Sequence, residues 1–509
     1  MNTAISAALV ITGIGAILLA GLRWLRVAQR EHYLAGSTSR FAARWWTVTP
    51  LNLIGFVLAL MGTMVSLFGA MAAAIPIAVV ALGPRGLSPR GRTSQLAWTR
   101  RLKSLAAAAA GLELVVVLAV CVVSLPLAMA VGTLVVPVII DLAALLLAPL
   151  EERASRRFVD QAAARLGRVA PRIIGITGSY GKTSVKNHLV GLVAGNLATV
   201  ASPRSFNNRA GLARAINEHL AEGTEVFIAE MGTYGPGEIA DLCTWCPPSI
   251  AVMTAIGPVH LERFGSLDVT VAAKAEIAVG AEVVVINVDD DRLAVLADQL
   301  TREGKRVIRA GSARRDADIV VTEGDAAWGI EVSGVLVGAS PVLPGLQPTN
   351  VACAVAAAIA LGLDPATVAS RVEHLSTIEN RLGVARVPSG VTVVDDTFNS
   401  NPAGAEAALR VLAGLGVTGR RVVVTPGMVE LGGRQRHENE HFGHRAAEIA
   451  DVVLVVGRTN RRSLIAGVSA ADAELRLVAT REEAVEWVRS NLGADDAVLY
   501  ENDLPDNYP

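Results

Sequence analysis

The first 150 residues constrain this chain more than any other part of it. Three apolar stretches, about 3–22, 49–83 and 104–149, are separated by connectors rich in arginine. A helical membrane crossing takes roughly 20 apolar residues, so the first stretch supplies one and the last supplies two. The middle stretch is long for one crossing and short for two, and it contains Pro76 with Gly55, Gly62 and Gly69. Charge decides between them. Arg23, Arg26, Arg30, Arg40 and Arg44 fill the first connector, and Arg85, Arg90, Arg92, Arg100, Arg101 and Lys103 fill the second. Basic residues collect on the cytoplasmic side, so each later stretch must cross and return. The expectation is an α-helical transmembrane domain over 1–150 with five spans in the cell (plasma) membrane, the N-terminus outside and the remainder of the chain cytoplasmic. Trp24, Trp45, Trp46 and Trp98 lie beside the charged connectors, where interfacial aromatics are expected. Segment 3–22 does not read as a cleaved signal peptide, because its positive charges follow the apolar run. Glu113 and Asp141 lie within or at the edge of the third stretch. Such acids suggest substrate or proton handling, or positions near an interface.

Charge separates the two parts of the chain. Residues 1–150 balance to +8 and the remainder to −9, which gives the second part no basic footprint for nucleic acid. From Glu151 a charged amphipathic helix is expected, and after it short apolar runs alternate with helical patterns. "PRIIGITG", "EVFIAEMG", "SIAVMTAIG" and "AEVVVINVDDD" read as strands of a parallel sheet. "VTVVDDTFNSNP", "RRVVVTPGMVELG", "DVVLVVGRTN" and "DDAVLYEND" form a second such series. The expected architecture is therefore multi-domain: the membrane domain, an α/β phosphate-loop domain over 151–340, and a Rossmann-like α/β domain over 341–509. Sites in such sheets form at the carboxyl ends of the strands.

One of those ends carries "GITGSYGKTS", Gly175 to Ser184. In a Walker-type loop, glycines let backbone N–H groups face phosphate oxygens, the lysine reaches the outer phosphates, and the next hydroxyl holds magnesium. Gly178, Ser179, Gly181, Lys182, Thr183 and Ser184 fit those places at a strand-to-helix junction. Gly175, however, lies six residues before Gly181, where the common spacing is five.

"TGSYGKTSVK" resembles the loop of the Mur ligases, the ATP-dependent amide ligases of peptidoglycan synthesis, and in particular their D-alanyl-D-alanine-adding branch. "SFNNRAGLARAI" with Asn207 and Asn208, "IAEMGTYGPGEIADL", "TAIGPVHLERFGS", "VAAKAEIA", "NRLGVARV", "VVDDTFNSNPAGAEAAL" and "TPGMVELGGRQRHENEHFG" follow in family order, so the resemblance covers about 170–495. It implies a magnesium-binding Glu230, a metal-site His260 and a carbamoylated Lys274. Asn350, Arg381, Asp396 and Asn399 are implied at the nucleotide. With Thr183, these make Thr183, Glu230, His260 and Lys274 the implied metal set, for two Mg2+ ions, and Lys182, Lys274 and His260 the implied catalytic set. Read singly, Glu230 is also a strand-end charge, His260 a loop histidine and Lys274 a helix-surface lysine.

The implied chemistry is consistent with the residues. A free carboxylate is a poor electrophile, and phosphorylation by ATP turns it into an acyl phosphate that an amine can attack. Bringing two oxyanions together requires positive charge, which Lys182, Arg381 and magnesium would supply. The implied partners are a carboxylate donor from the cell envelope, lipid-linked or membrane-delivered, and an amino acid or dipeptide amine. Three departures stand out. "GLQPTN" has Gln347 and Pro348 where a His-Asn pair is usual, the lysine-containing C-terminal strand motif is replaced by "LYENDLPDNYP", and the membrane domain stands where the family has its uridine-nucleotide-binding domain. Membrane-bound poly-γ-glutamate-type ligases, a membrane transport ATPase and a non-catalytic nucleotide-binding regulator are the alternatives. "HENEH", His437 to His441, matches a zinc-protease spacing, with His444 extending the same helical face. "CTWC", Cys243 to Cys246, matches a redox or zinc pair that lacks a second half.

Overall fold

A computed structural model describes all residues except 1–2, 90–95, 204–205, 315, 325–326, 344, 377–381, 398–399, 505–507 and 509. The chain divides into two compact units, Met1–Ala154 with Leu504–Pro509, and Ser155–Asp503.

The first unit is helical: α1 (Thr3–Arg30), α2 (Ser37–Thr47), α3 (Pro50–Val65), α4 (Ala74–Leu82), α5 (Arg100–Cys121) and the part of α6 (Leu125–Val169) up to Ala154. Where five crossings are expected, three helices among the described residues, α1, α5 and α6, are long and apolar enough to cross a membrane, and α2 with α3, bent by 111°, would add a fourth only if counted as one broken span. The middle apolar stretch folds into a hairpin of α3 and α4, with 16 and 9 helical residues. At 1.5 Å per residue neither arm reaches across a bilayer. The arms close tightly at Gly62, where a Cβ would lie 2.9 Å from Ile75 Cβ.

Two buried charges organise this unit. Arg23 of α1 donates to the carbonyls of Val80 and Gly83 at 2.8 Å and of Ala81 at 2.7 Å, satisfying the end of α4. Asp141 of α6 accepts from the backbone N–H of Thr38 and Ser39 and from Ser39 Oγ, so it caps the start of α2. Both helix ends would otherwise bury orphan backbone groups. Asp141 is thus a structural group in place of the substrate or proton handling its position suggests. Glu113 is buried, and neither carboxyl oxygen has a hydrogen-bond partner among the described residues. Trp24, Trp45 and Trp46 are buried in the helical core, with Trp46 stacked on Phe56; only Trp98 is exposed, as an interfacial residue would be. Tyr508, near the C-terminus, packs edge-on against Phe41 at 5.2 Å.

The second unit holds two sheets. The first contains β1 (Arg172–Thr177), β2 (Thr199–Ala201), β3 (Val226–Glu230), β4 (Ile250–Met253), β5 (Val283–Asn287), β6 (Arg306–Gly311), β7 (Ile319–Glu323), β8 (Ala327–Val332) and β9 (Val335–Pro341), in the order β2-β3-β1-β4-β5-β6-β7-β8-β9. Pairing is parallel as far as β7 and antiparallel from β7 to β9. The central strands are buried on both faces, which is why they read as continuous apolar runs. Along β5, Val284 and Ile286 enter one core while Val283 and Val285 enter the other. Helices α7 (Lys182–Val193) and Pro348–Ala360 cover the second of these faces. The expected boundary at 340/341 therefore falls before the helix that completes the central core. The other sheet, β10 (Gly383–Arg386), β11 (Thr392–Asp396), β12 (Arg421–Thr425), β13 (Val452–Val456), β14 (Glu474–Val478) and β15 (Ala497–Glu501), has the order β10-β11-β15-β12-β13-β14 with only β10 antiparallel.

Candidate active site

The phosphate loop joins β1 to α7. Gly175 lies within β1, not in the loop, which accounts for its displaced spacing. Gly181 adopts φ 80, and a Cβ there would lie 2.4 Å from Asn350 Oδ1, so both backbone conformation and space require glycine. The loop is tied to the end of β4. Ser179 N donates to Ala255 O at 2.7 Å, Ser179 Oγ to Gly257 O at 3.2 Å, and Thr254 Oγ1 to Tyr180 O. Lys182 Nζ donates to Gly178 O at 2.7 Å, folding the ammonium over its own loop.

Glu230 ends β3, beside Ile176 of β1 in the parallel register. Its Oε2 accepts from Thr183 Oγ1 at 3.0 Å and pairs with Lys186 Nζ at 3.1 Å, while Oε1 accepts from Asn207 Nδ2 at 3.2 Å. Burial by itself would raise this carboxyl's pKa. The ammonium groups of Lys186 and Lys182, with hydrogen bonds from Lys186 and Asn207, instead hold it below the usual value. Lys186 itself is buried and donates to Ser202 O at 2.9 Å. Sequence reasoning missed its role, although "VK" after the loop carried it.

Lys182, His260 and Lys274 line one small cavity of about 60 Å³, together with Gly178, Ser179 and Asn207. Lys274 is buried, and burial, then the charge of Lys182, holds its pKa well below that of an exposed lysine. His260 Nδ1 is bonded to Glu430, another residue missed from the sequence, and its ring meets Tyr234 edge-on at 4.9 Å. The implied metal set thus falls into two parts: Thr183 with Glu230, and His260 with Lys274. Among the described residues no three His, Cys, Asp or Glu side chains gather into a metal cage. One buried carboxylate beside a hydroxyl at a phosphate loop does fit Mg2+, which is usually held by one or two carboxylates plus substrate phosphates.

A second cavity, of about 190 Å³, lies between the loop and the C-terminal domain and is lined by Gly181, Ser184, Asn350 and Asp396, and also by His188, Asn287 and Asn401. Arg381 and Asn399 lie outside the described residues. His188 is pushed down to about 4 by burial and is neutral at physiological pH. Its spacing of four from Ser184 along α7 was the available signal. Pro348 starts a helix with Gln347 as N-cap, a position where its missing N–H costs nothing.

The remaining motifs are structural. Burial raises the Cys243 thiol to about 11 and the fully buried Cys246 thiol further, so neither is a ready thiolate. Within "HENEH", Glu438 pairs with Arg434 at 2.9 Å, and the buried residue is Asn439, bonded to both backbone groups of Met428. In the replaced C-terminal strand motif, Glu501 is wholly buried and accepts from Ser400 Oγ and Thr425 Oγ1, beside Asp396 on the neighbouring strand.

Comparison with known proteins finds relatives over both α/β domains. The Mur ligase middle domain matches residues 176–358, and the Mur ligase glutamate ligase domain matches 380–500. UDP-N-acetylmuramoyl-tripeptide--D-alanyl-D-alanine ligase of Mycobacterium tuberculosis is 32% identical over 57% of this chain, and the match spans 59% of that protein's length. The Mycobacterium leprae ligase of the same name is 30% identical over 64% of this chain and 70% of its own. MurF from Thermotoga maritima in complex with ADP superposes with a TM-score of 0.58 at 26% identity, covering 69% of this chain and 80% of that one. MurF from Acinetobacter baumannii gives a TM-score of 0.60 at 24% identity, covering 69% and 77%. From these matches, the chain belongs to the Mur ligase family.

Proposed function

We propose that this protein is an ATP-dependent, ADP-forming ligase that joins a carboxylate to an amine, of the D-alanyl-D-alanine-adding kind, in the synthesis of a cell-envelope precursor. The observation that carries the reading is the convergence of Lys182, His260 and Lys274 on one cavity beside the Thr183–Glu230 pair. The γ-phosphoryl of ATP passes to a donor carboxylate oxygen as its bond to the β-phosphate oxygen breaks and ADP leaves. The amine then attacks the acyl carbon, the acyl carbon–oxygen bond breaks, phosphate departs and the nitrogen loses a proton. Lys182 swings from its own loop carbonyls onto the transferring phosphate, where charge neutralisation matters most. Thr183 and Glu230, with His260, would hold magnesium, which would supply positive charge at the phosphates. Lys274, whose pKa burial and the charge of Lys182 hold well below that of an exposed lysine, is the residue that would take up carbon dioxide, and as a carbamate it would hold a second ion.

The membrane reading is refined by the helical hairpin. Three crossings plus a hairpin that enters and returns keep both arginine-rich connectors on one side, as five crossings would. With the N-terminus outside, that side is cytoplasmic, and so is the ligase. Confinement there would raise the effective concentration of a lipid-linked or membrane-delivered donor. Purified full-length protein, screened with candidate carboxylates and amines for ADP release and product mass, tests the proposal. Glutamate as sole acceptor would favour a poly-γ-glutamate-type reaction, and ADP release with no acceptor dependence would refute a ligase.

A further inference from the structure

We infer that Glu430 of the C-terminal domain is a positioning residue for His260, so that the histidine side of the metal-binding arrangement is complete only when that domain has closed on the central one. The inference rests on the ligase reading. The two residues stand 170 apart in sequence, yet the Glu430 carboxylate meets His260 Nδ1 directly. A carboxylate on one ring nitrogen fixes the tautomer and the ring plane and leaves Nε2 for a cation. A second contact reinforces the first: Leu261 N donates to Glu430 O at 3.1 Å. His260 and Glu430 both hold left-handed backbones, φ 58 and 64, a conformation unfavourable for residues other than glycine and sustained here where the two meet. Tyr234 closes the other side of the ring, leaving the imidazole one orientation. The segment that follows Glu430 carries the Arg434–Glu438 pair, whose charges reach Tyr180 of the phosphate loop. One stretch of the C-terminal domain therefore addresses both the metal-side histidine and the loop.

The test is Mn2+ binding to full-length protein with a non-hydrolysable ATP analogue, followed by electron paramagnetic resonance. Wild type, E430A, E430Q, H260A and H260A/E430A are compared, with thermal melts alongside. The expected loss of affinity for E430A is about 10- to 100-fold, the usual scale for a residue supporting a ligand. E430Q, whose amide oxygen still accepts from Nδ1–H, loses several-fold. In the H260A background, removing Glu430 costs nothing more. Wild-type affinity in E430A, or an equal loss with and without His260, would overturn the inference. Should E430A be unstable, the near-isosteric E430Q decides, and unchanged affinity there overturns it too. If wild type itself binds no Mn2+ with the analogue, the ligase reading fails instead.

Discussion

Buried charge is used in opposite ways in the two units of this molecule. In the helical unit, Arg23 and Asp141 give their hydrogen bonds to the ends of other helices. In the second unit, Glu230 and Lys186 pair beside a phosphate loop, and Glu230 takes its other bonds from Thr183 and Asn207, while Lys274 lines the neighbouring cavity. The lesson is that a buried charge points to function only after its backbone partners have been counted. Asp141 fails that test. Glu230 passes it, because its partners are themselves the loop threonine, a lysine and an asparagine.

The contrast can be broken by mutation, and the largest effect belongs to the loop. Lys182→Ala should lower ADP release by at least about 10³-fold, the scale of removing a charge that stabilises phosphoryl transfer, while melting temperature stays near wild type. Arg23→Met should do the reverse. Three helix-end carbonyls lose a charged donor in an apolar setting, which should cost about 3 kcal/mol or more, read from denaturant unfolding in detergent, with ATP affinity little changed. Equal effects of both substitutions on turnover would dissolve the distinction between the units.

Glu501 sharpens it through pH. Burial first, then Asp396, raises its pKa to about 8 against a hydrogen bond from Thr425. A carboxyl raised in the folded state stabilises fully below its unfolded value, and that stability is lost as pH rises toward 8. The wild-type melting temperature should therefore fall between pH 5 and 8 by more than that of Glu501→Gln. Parallel pH curves would contradict the assignment. Asp141→Asn should cost only about 1 kcal/mol, since an amide oxygen can still cap a helix. The smallest effect is expected for His437→Ala with His441→Ala, and for Cys243→Ser. Turnover within twofold of wild type would agree with a structural role, and a loss of bound zinc would not.

Much of this was legible in the sequence for physical reasons. Buried parallel strands must be apolar throughout, and a phosphate loop must have its glycines, so β1, β3, β4, β5 and the loop between β1 and α7 could be read directly. Residues whose partners lie far along the chain could not. Nothing local to "GMVELGG" announces that Glu430 meets His260, nor does "GITGSYGKTSVK" say that Lys186 turns back to Glu230. The middle apolar stretch misled for a related reason. Its composition suits a membrane, but composition does not show that Gly62 and Pro76 let it fold into a hairpin, or that an arginine from α1 would satisfy its end. The tryptophans were equally ambiguous, because an aromatic beside a charged connector can face the interface or pack inward.

The most direct test of the central claim is to follow oxygen. A donor labelled with ¹⁸O in its carboxylate is turned over with ATP and the acceptor amine, and the inorganic phosphate is analysed by mass spectrometry. Formation of an acyl phosphate at the Lys182 loop predicts one ¹⁸O in each phosphate released, in step with ADP and amide product. Phosphate free of label while ADP accumulates would mean that water, not the carboxylate, receives the phosphoryl group, and would contradict the account.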